Sequence, residues 1–136
     1  MISDEQKLAY QLAYIIRYLI FCAEKKDFLQ YDDMRKIFGV SGEQVGEYAG
    51  KIGDKCVKEF KIPPLNALIV NCSGSVGEGW KAWAKVAYKN ITPPKGKKYP
   101  PTWEEAVNEC FETYHIPQGN DRFKPYNAIS IPVQLP

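Results

Sequence analysis

Apolar residues recur at helical spacing near the start of the chain, at Leu8, Leu12, Ile15, Ile16, Leu19 and Ile20. Ser3-Asp4-Glu5-Gln6 precedes them in the form of a capping box, so a helix is expected from there to about Lys25. Tyr10, Tyr14 and Tyr18 form a second stripe, read as rings covering the core edge with hydroxyls in water. The sharper reading of the same stripe is a stacking platform for bases or a partner groove. Tyr31 to Phe38 suits a short helix with Met34, Ile37 and Phe38 inward and Gly39 as its stop. Ser41-Gly42-Glu43-Gln44 has capping-box form again and starts a third helix, with Val45, Tyr48 or Ala49, Ile52 and Cys56 inward. Two such helices around a glycine-containing turn have the outline of a helix-turn-helix.

After Pro63-Pro64, the run from Leu65 to Asn71 reads as a buried strand. Cys72 to Gly79 is a glycine-rich turn suited to a hairpin or wing, and Trp80 to Tyr88 a short helix with Trp83, Val86 and Ala87 inward. Residues 90–101 are a basic loop whose prolines forbid a regular element. Thr102-Trp103-Glu104-Glu105 caps a last helix that buries Trp103, Ala106, Val107, Cys110, Phe111 and Tyr114 and ends near Ile116-Pro117. The tail offers one strand, Ala128 to Val133.

The expected fold is mainly α with a small β wing (α+β). It has a winged helix-turn-helix-like core, an N-terminal amphipathic helix and a C-terminal helix. A length of 136 residues fits one domain. Within it, 1–26 is the N-terminal helix, 31–88 the core, 89–101 the Pro/Lys-rich loop and 102–136 the C-terminal helix and tail.

Composition narrows the function classes. Hydrophobic residues at 45% and aromatics at 13% support a real core, and a net charge of +2 implies no nucleic-acid or membrane partner by itself. Cys22, Cys56, Cys72 and Cys110 are far apart with no C-x-x-C pair, which argues against a metal or redox motif. Four reduced, mostly buried thiols in a cytoplasmic protein are expected. The most apolar segment, Leu8 to Ala23, holds Gln11 and Arg17 and is shorter than a bilayer span, so no membrane anchor is expected.

Several matches lie in YDDMRKIFGVSGEQVGEYAGKIGDK and IPPLNALIVNCSGSVGEGW: Tyr31 followed by Gly39, Val45-Gly46, Ile62-Pro63, and Cys72-Ser73-Gly74-Ser75-Val76-Gly77. In order and approximate spacing they resemble the winged-helix domain of the O6-alkylguanine-DNA alkyltransferases and their alkyltransferase-like relatives. The resemblance covers about fifty residues and implies a DNA-binding fold. In that family the proline is followed by the reactive cysteine, then histidine and arginine. Here Pro64, Leu65 and Asn66 stand in those places, so the thiolate and its supporting groups are gone. The family also carries an arginine two residues before the valine-glycine pair, where this chain has Glu43. A carboxylate there has the wrong charge for phosphates but suits a helix N-terminus. The pattern I-P-P-L-N-A-L-I-V-N with G-x-G-W is similar to one recurring in small bacterial proteins, which implies a bacterial, mobile-element or defence setting.

Other chemistry is sparse. The lone His115 reads as a cation at a helix C-terminus. Asp32-Asp33 and Glu104-Glu105 are adjacent carboxylates that point apart on a helix, a poor basis for a glycosidase dyad. Gly74, Gly77 and Gly79 match neither phosphate-binding spacing. Asn66 and Asn71 read as strand-end residues, or as polar handles beside the lost site. Lys81, Lys85, Lys89, Lys95, Lys97 and Lys98, interleaved with Trp80, Trp83 and Tyr99, form the one basic cluster.

The expected function is non-catalytic nucleic-acid binding, with DNA as the partner and neither cofactor nor metal. Tyr31, Ser41, Gln44, Tyr48, Lys51, Lys55, Lys81 and Lys85 are its candidate contacts. The alternative is a protein-interaction module such as a toxin-neutralising immunity protein or a phage defence or counter-defence factor. An enzyme is the third reading, and it lacks a nucleophile–base pair.

Overall fold

The computed structural model describes residues 2–74 and 79–117. Among them the chain is mainly helical with one two-stranded parallel sheet, an α+β arrangement. The order is α1 (Asp4–Glu24), β1 (Leu29–Gln30), α2 (Tyr31–Phe38), α3 (Val45–Asp54), β2 (Ile69–Val70), α4 (Gly79–Ala87) and α5 (Trp103–Tyr114). The tail strand expected over 128–133 and residues 75–78 of the expected wing lie outside the described residues.

Ser3 caps α1 as expected: its side chain accepts from the Gln6 amide, and the Gln6 side chain accepts from the Ser3 amide. Leu12, Ile15, Ile16, Leu19, Cys22 and Ala23 are buried along one face, while Leu8 and Ile20 are half-buried at its margins. Thr102 and Glu105 cap α5 in the same reciprocal way. The hydrogen bond from the Thr102 amide holds the Glu105 carboxyl below its ordinary range. Gly39 ends α2 in the left-handed region (φ 71°), where a side chain would be strained.

The centre of the molecule differs from the expected strand. Leu65–Leu68 is a 3₁₀ turn, and only Ile69 and Val70 extend, pairing in parallel with Leu29 and Gln30. The reason is backbone satisfaction. The turn is enclosed by α1, α3 and α5, so a strand there would leave buried amides and carbonyls without a ladder partner. The 3₁₀ geometry closes its own bonds, from the Ala67 amide to Pro64 O and from the Ile69 amide to Asn66 O. From α5, Trp103 Nε1 donates to Ala67 O at 2.8 Å and the Cys110 thiol adds a second bond to Pro64 O at 3.6 Å. Leu65 and Leu68 are fully buried, each contributing about 1.5–3 kcal/mol through lost apolar exposure.

Three further expectations are corrected. Ser41–Gln44 forms a turn, not the first turn of α3, with the Gln44 amide donating to Ser41 O. The Gln44 side chain accepts from the Ser41 amide, so half of the expected capping box is present. Ile37 is 48% exposed, because α2 is only two turns long and buries Met34 alone. On α4 the buried side chains are Trp80, Ala84 and Ala87, while Val86 is 69% exposed. A helix beginning at Gly79 seats Trp80 first, and residues one and two turns later follow it inward. After α3 the chain continues as a π-helical stretch, Lys55–Phe60, that keeps Cys56 and Val57 inward before Lys61 closes it.

A part-buried polar bridge ties the helices together. Gln11 Nε2 donates to Phe38 O at 2.8 Å, satisfying a carbonyl at the end of α2. Tyr48 Oη donates to Gln11 Oε1 at 3.1 Å. Cys22, Cys56 and Cys110 are buried and Cys72 is exposed, all as free thiols. No described helix is long and apolar enough to cross a membrane.

Candidate functional site

The expected contact residues divide between two surfaces. Gln44, Tyr48, Lys51 and Lys55 recur at i, i+4, i+7 and i+11 and so share one side of α3 and its continuation. That side turns toward α1: Tyr48 holds Gln11, while Lys51 and Lys55 border a groove with Glu5, Leu8 and Leu12. Lys51 lies 4.0 Å from Glu47 and Lys55 3.2 Å from Glu59, and Asp54 faces Lys58 at 3.8 Å. The cations of this helix therefore sit beside carboxylates. Ser41 and Gln44 are exposed in the turn before it.

Lys81 and Lys85 stand one turn apart on the exposed side of α4, with Lys89 one turn further. None of the three joins an ion pair among the described residues. Lys95 and Lys98 are exposed in the loop beyond, and Lys97 reaches Glu109 at 3.9 Å. The aromatic residues expected to interleave with this cluster face inward. Trp80 Nε1 donates to Pro101 O at 3.4 Å, Trp83 Nε1 to Asp54 Oδ1 at 3.1 Å, and Tyr88 packs edge-on to Tyr99. The indoles brace α4 against its neighbours and leave the lysines outside.

Tyr31 lies apart from both groups. It borders a cleft of about 130 Å³ between α3 and α4, together with Gly46, Gly50, Asn66, Trp80 and Trp83. Asn66 is only 5% exposed, and its Oδ1 accepts no hydrogen bond among the described residues. Asn66, expected at a strand end or as a polar handle beside the lost site, lies in the 3₁₀ turn. The signal for the cleft was a helix with glycine at 46, 50 and 53 together with two tryptophans three residues apart. Asn71 is a turn former: its Oδ1 accepts from both the amide and the hydroxyl of Ser73.

The positions aligned with the alkyltransferase centre offer no reactive group. Pro64 and Leu65 are buried in the core. Burial pushes the Cys22 and Cys56 thiols up to about 11, and Cys110 higher still, so none is poised as a thiolate. Among the described residues no cluster of His, Cys, Asp and Glu is placed to hold a metal ion. His115 follows α5 with its Nδ1 3.2 Å from Glu24 O, the last residue of α1, so it staples one helix end to another. Comparison with protein-family models, curated proteins and solved structures finds no match.

Proposed function

We propose that the chain is a non-catalytic nucleic-acid-binding protein of a bacterium or mobile element. In this reading α2 and α3 are the helix pair of a winged helix-turn-helix-like core, and α4 with its following loop supplies the phosphate contacts. The observation that carries it is the stripe Lys81, Lys85 and Lys89, which joins no ion pair among the described residues, continued by Lys95 and Lys98. Cations without carboxylate neighbours exchange small counterions for phosphates, and the released ions drive binding. The charges of α3 and its π-helical continuation pair with one another, which moves the weight of the interface from that helix to α4. The test is fluorescence anisotropy with short double- and single-stranded DNA and RNA. Micromolar affinity that weakens with salt supports the reading, and no binding at low salt refutes it.

A second reading, a protein-interaction module such as an immunity protein or a defence or counter-defence factor, is favoured by α1. Tyr10, Tyr14 and Phe21 fall on one side of that helix, opposite its buried face, and each is about half exposed or more. Aromatic residues exposed in a row suit a partner surface. Its test is replacement of Tyr10 and Tyr14 by serine: loss of a tight protein partner, with nucleic-acid affinity unchanged, would support this reading over the first.

A further inference from the structure

We infer that the cleft between α3 and α4 is a binding site for a small flat heteroaromatic ring carrying a hydrogen-bonding edge. This inference is independent of the lysine stripe and of the nucleic-acid reading. It starts from the glycines of α3. A helix interior loses about 1 kcal/mol for each glycine in place of alanine, and this ten-residue helix has three, Gly46, Gly50 and Gly53. Gly53 has a packing reason. A Cβ there would lie 2.2 Å from Trp83 Cζ2 and 2.6 Å from Asn66 Nδ2. Gly46 and Gly50 have no such reason: nothing stands within 4 Å of a Cβ at Gly46, and at Gly50 the nearest atom is Trp83 Cδ1 at 3.6 Å, ordinary contact. Both border the cleft, so their bare backbone is what keeps it open.

Asn66 supplies the second, separate observation. A buried acceptor without a partner costs about 1–3 kcal/mol, and Asn66 Oδ1 is the one such side-chain atom among the described residues. Asn66 borders the cleft, and the close fit against Gly53 fixes its position. An amide carries one acceptor and two donors, and a half-turn of its end exchanges them. Whichever end faces the cleft, the amide calls for one complementary donor or acceptor on the ring edge. The remaining walls suit the flat faces of such a ring. Trp80 and Trp83 lie 5.0 Å apart at 49°, Tyr31 also lines the cleft, and Gly46 and Gly50 add bare backbone to its lining. Pro64 and Leu65 do not border the cleft, so the positions aligned with the alkyltransferase cysteine and histidine take no part.

Such a ring can arrive free in solution or as a base presented by a strand. Adenosine, guanosine, cytidine and thymidine at up to millimolar concentration, and a short single-stranded oligonucleotide, are the probes for the full chain. The readouts are quenching of tryptophan emission and amide NMR shifts at Asn66 and Trp83. Two variants accompany the wild type: Gly50→Ala, which narrows the cleft and has room for its methyl, and Asn66→Leu, which removes the amide. Saturable binding of a nucleoside that falls by about tenfold or more in both variants, with thermal stability unchanged or raised, supports the inference. Response to the oligonucleotide alone, abolished by Gly50→Ala, also supports it and assigns the ring to a strand. The inference is overturned if no probe moves these signals, or if Gly50→Ala binds like wild type. Should Asn66→Leu fold poorly, Gly50→Ala decides alone.

Discussion

Two alanine substitutions one turn apart on α3 should move stability in opposite directions. Gly50 and Gly53 both border Trp83, and both gain about 1 kcal/mol of helix propensity on change to alanine. At Gly50 the new methyl meets Trp83 Cδ1 at 3.6 Å, inside the attractive range for carbon atoms. Gly50→Ala should therefore be more stable than wild type by up to about 1 kcal/mol. At Gly53 the methyl would stand 2.2 Å from Trp83 Cζ2 and under 3 Å from the Asn66 amide. Relief needs a shift of more than about 1 Å, and neither neighbour is free to give it. Trp83 is hydrogen-bonded to Asp54 and packed between a tilted Trp80 and an edge-on Tyr88, and Asn66 belongs to the buried 3₁₀ turn. Overpacking of this kind costs about 1–3 kcal/mol or more, and the propensity gain is common to both, so Gly53→Ala should be the less stable of the pair by about 1–3 kcal/mol. Urea unfolding followed by tryptophan emission measures both on one scale. Equal midpoints for the two variants, or a stabilised Gly53→Ala, would refute the packing described for α3, α4 and Asn66.

Loss of the polar bridge is a second test. Gln11→Leu should cost about 1–3 kcal/mol by stranding the Phe38 carbonyl and the Tyr48 hydroxyl. Tyr48→Phe on that background should cost less than it does alone, and strict additivity in the double-mutant cycle would show that the bridge is not formed. Alkaline pH is a third. The Cys22 and Cys56 thiols keep their protons when folded to about pH 11 against an ordinary 9.0, first because burial desolvates the thiolate. The unfolded chain releases those protons earlier, so stability is whole below pH 9 and falls as pH rises toward 11. Each thiol contributes at most about 1.4 kcal/mol per pH unit. Unfolding free energies measured from pH 8 to pH 10.5 should decline accordingly, and a flat profile would contradict the burial of these cysteines.

Helix positions were legible because their determinants are local. The Ser3 and Thr102 capping boxes, the Gly39 stop and the period of Leu12, Ile15, Ile16 and Leu19 each act within a turn or two. The segment from Leu65 to Val70 was not legible in the same way. An unbroken apolar run is compatible with a strand or a tight turn, and the choice depends on which partners lie alongside. Only once α1, α3 and α5 are seen to enclose Leu65–Leu68 does the 3₁₀ geometry become necessary. The candidate site divides along the same line. The lysines of α4 could be read directly, since charge on a surface needs no partner to be recognised. That Lys51 and Lys55 stand beside Glu47 and Glu59 follows from i, i+4 spacing and was readable in principle. The cleft at Asn66 was hidden, because it joins Tyr31, Gly50, Asn66 and Trp83 from four separate elements.

The role assigned to α4 rests on how binding responds to salt. Anisotropy titrations of duplex DNA across a series of salt concentrations, for wild type and for the Lys81→Ala/Lys85→Ala double variant, measure it directly. Each phosphate contact adds about 0.9 to the slope of log affinity against log salt. Wild type should bind with micromolar affinity at low salt, and the double variant should bind more weakly with a slope smaller by about 1.8. An unchanged slope in the double variant, or no binding by the wild type at low salt, would contradict a nucleic-acid interface on this helix.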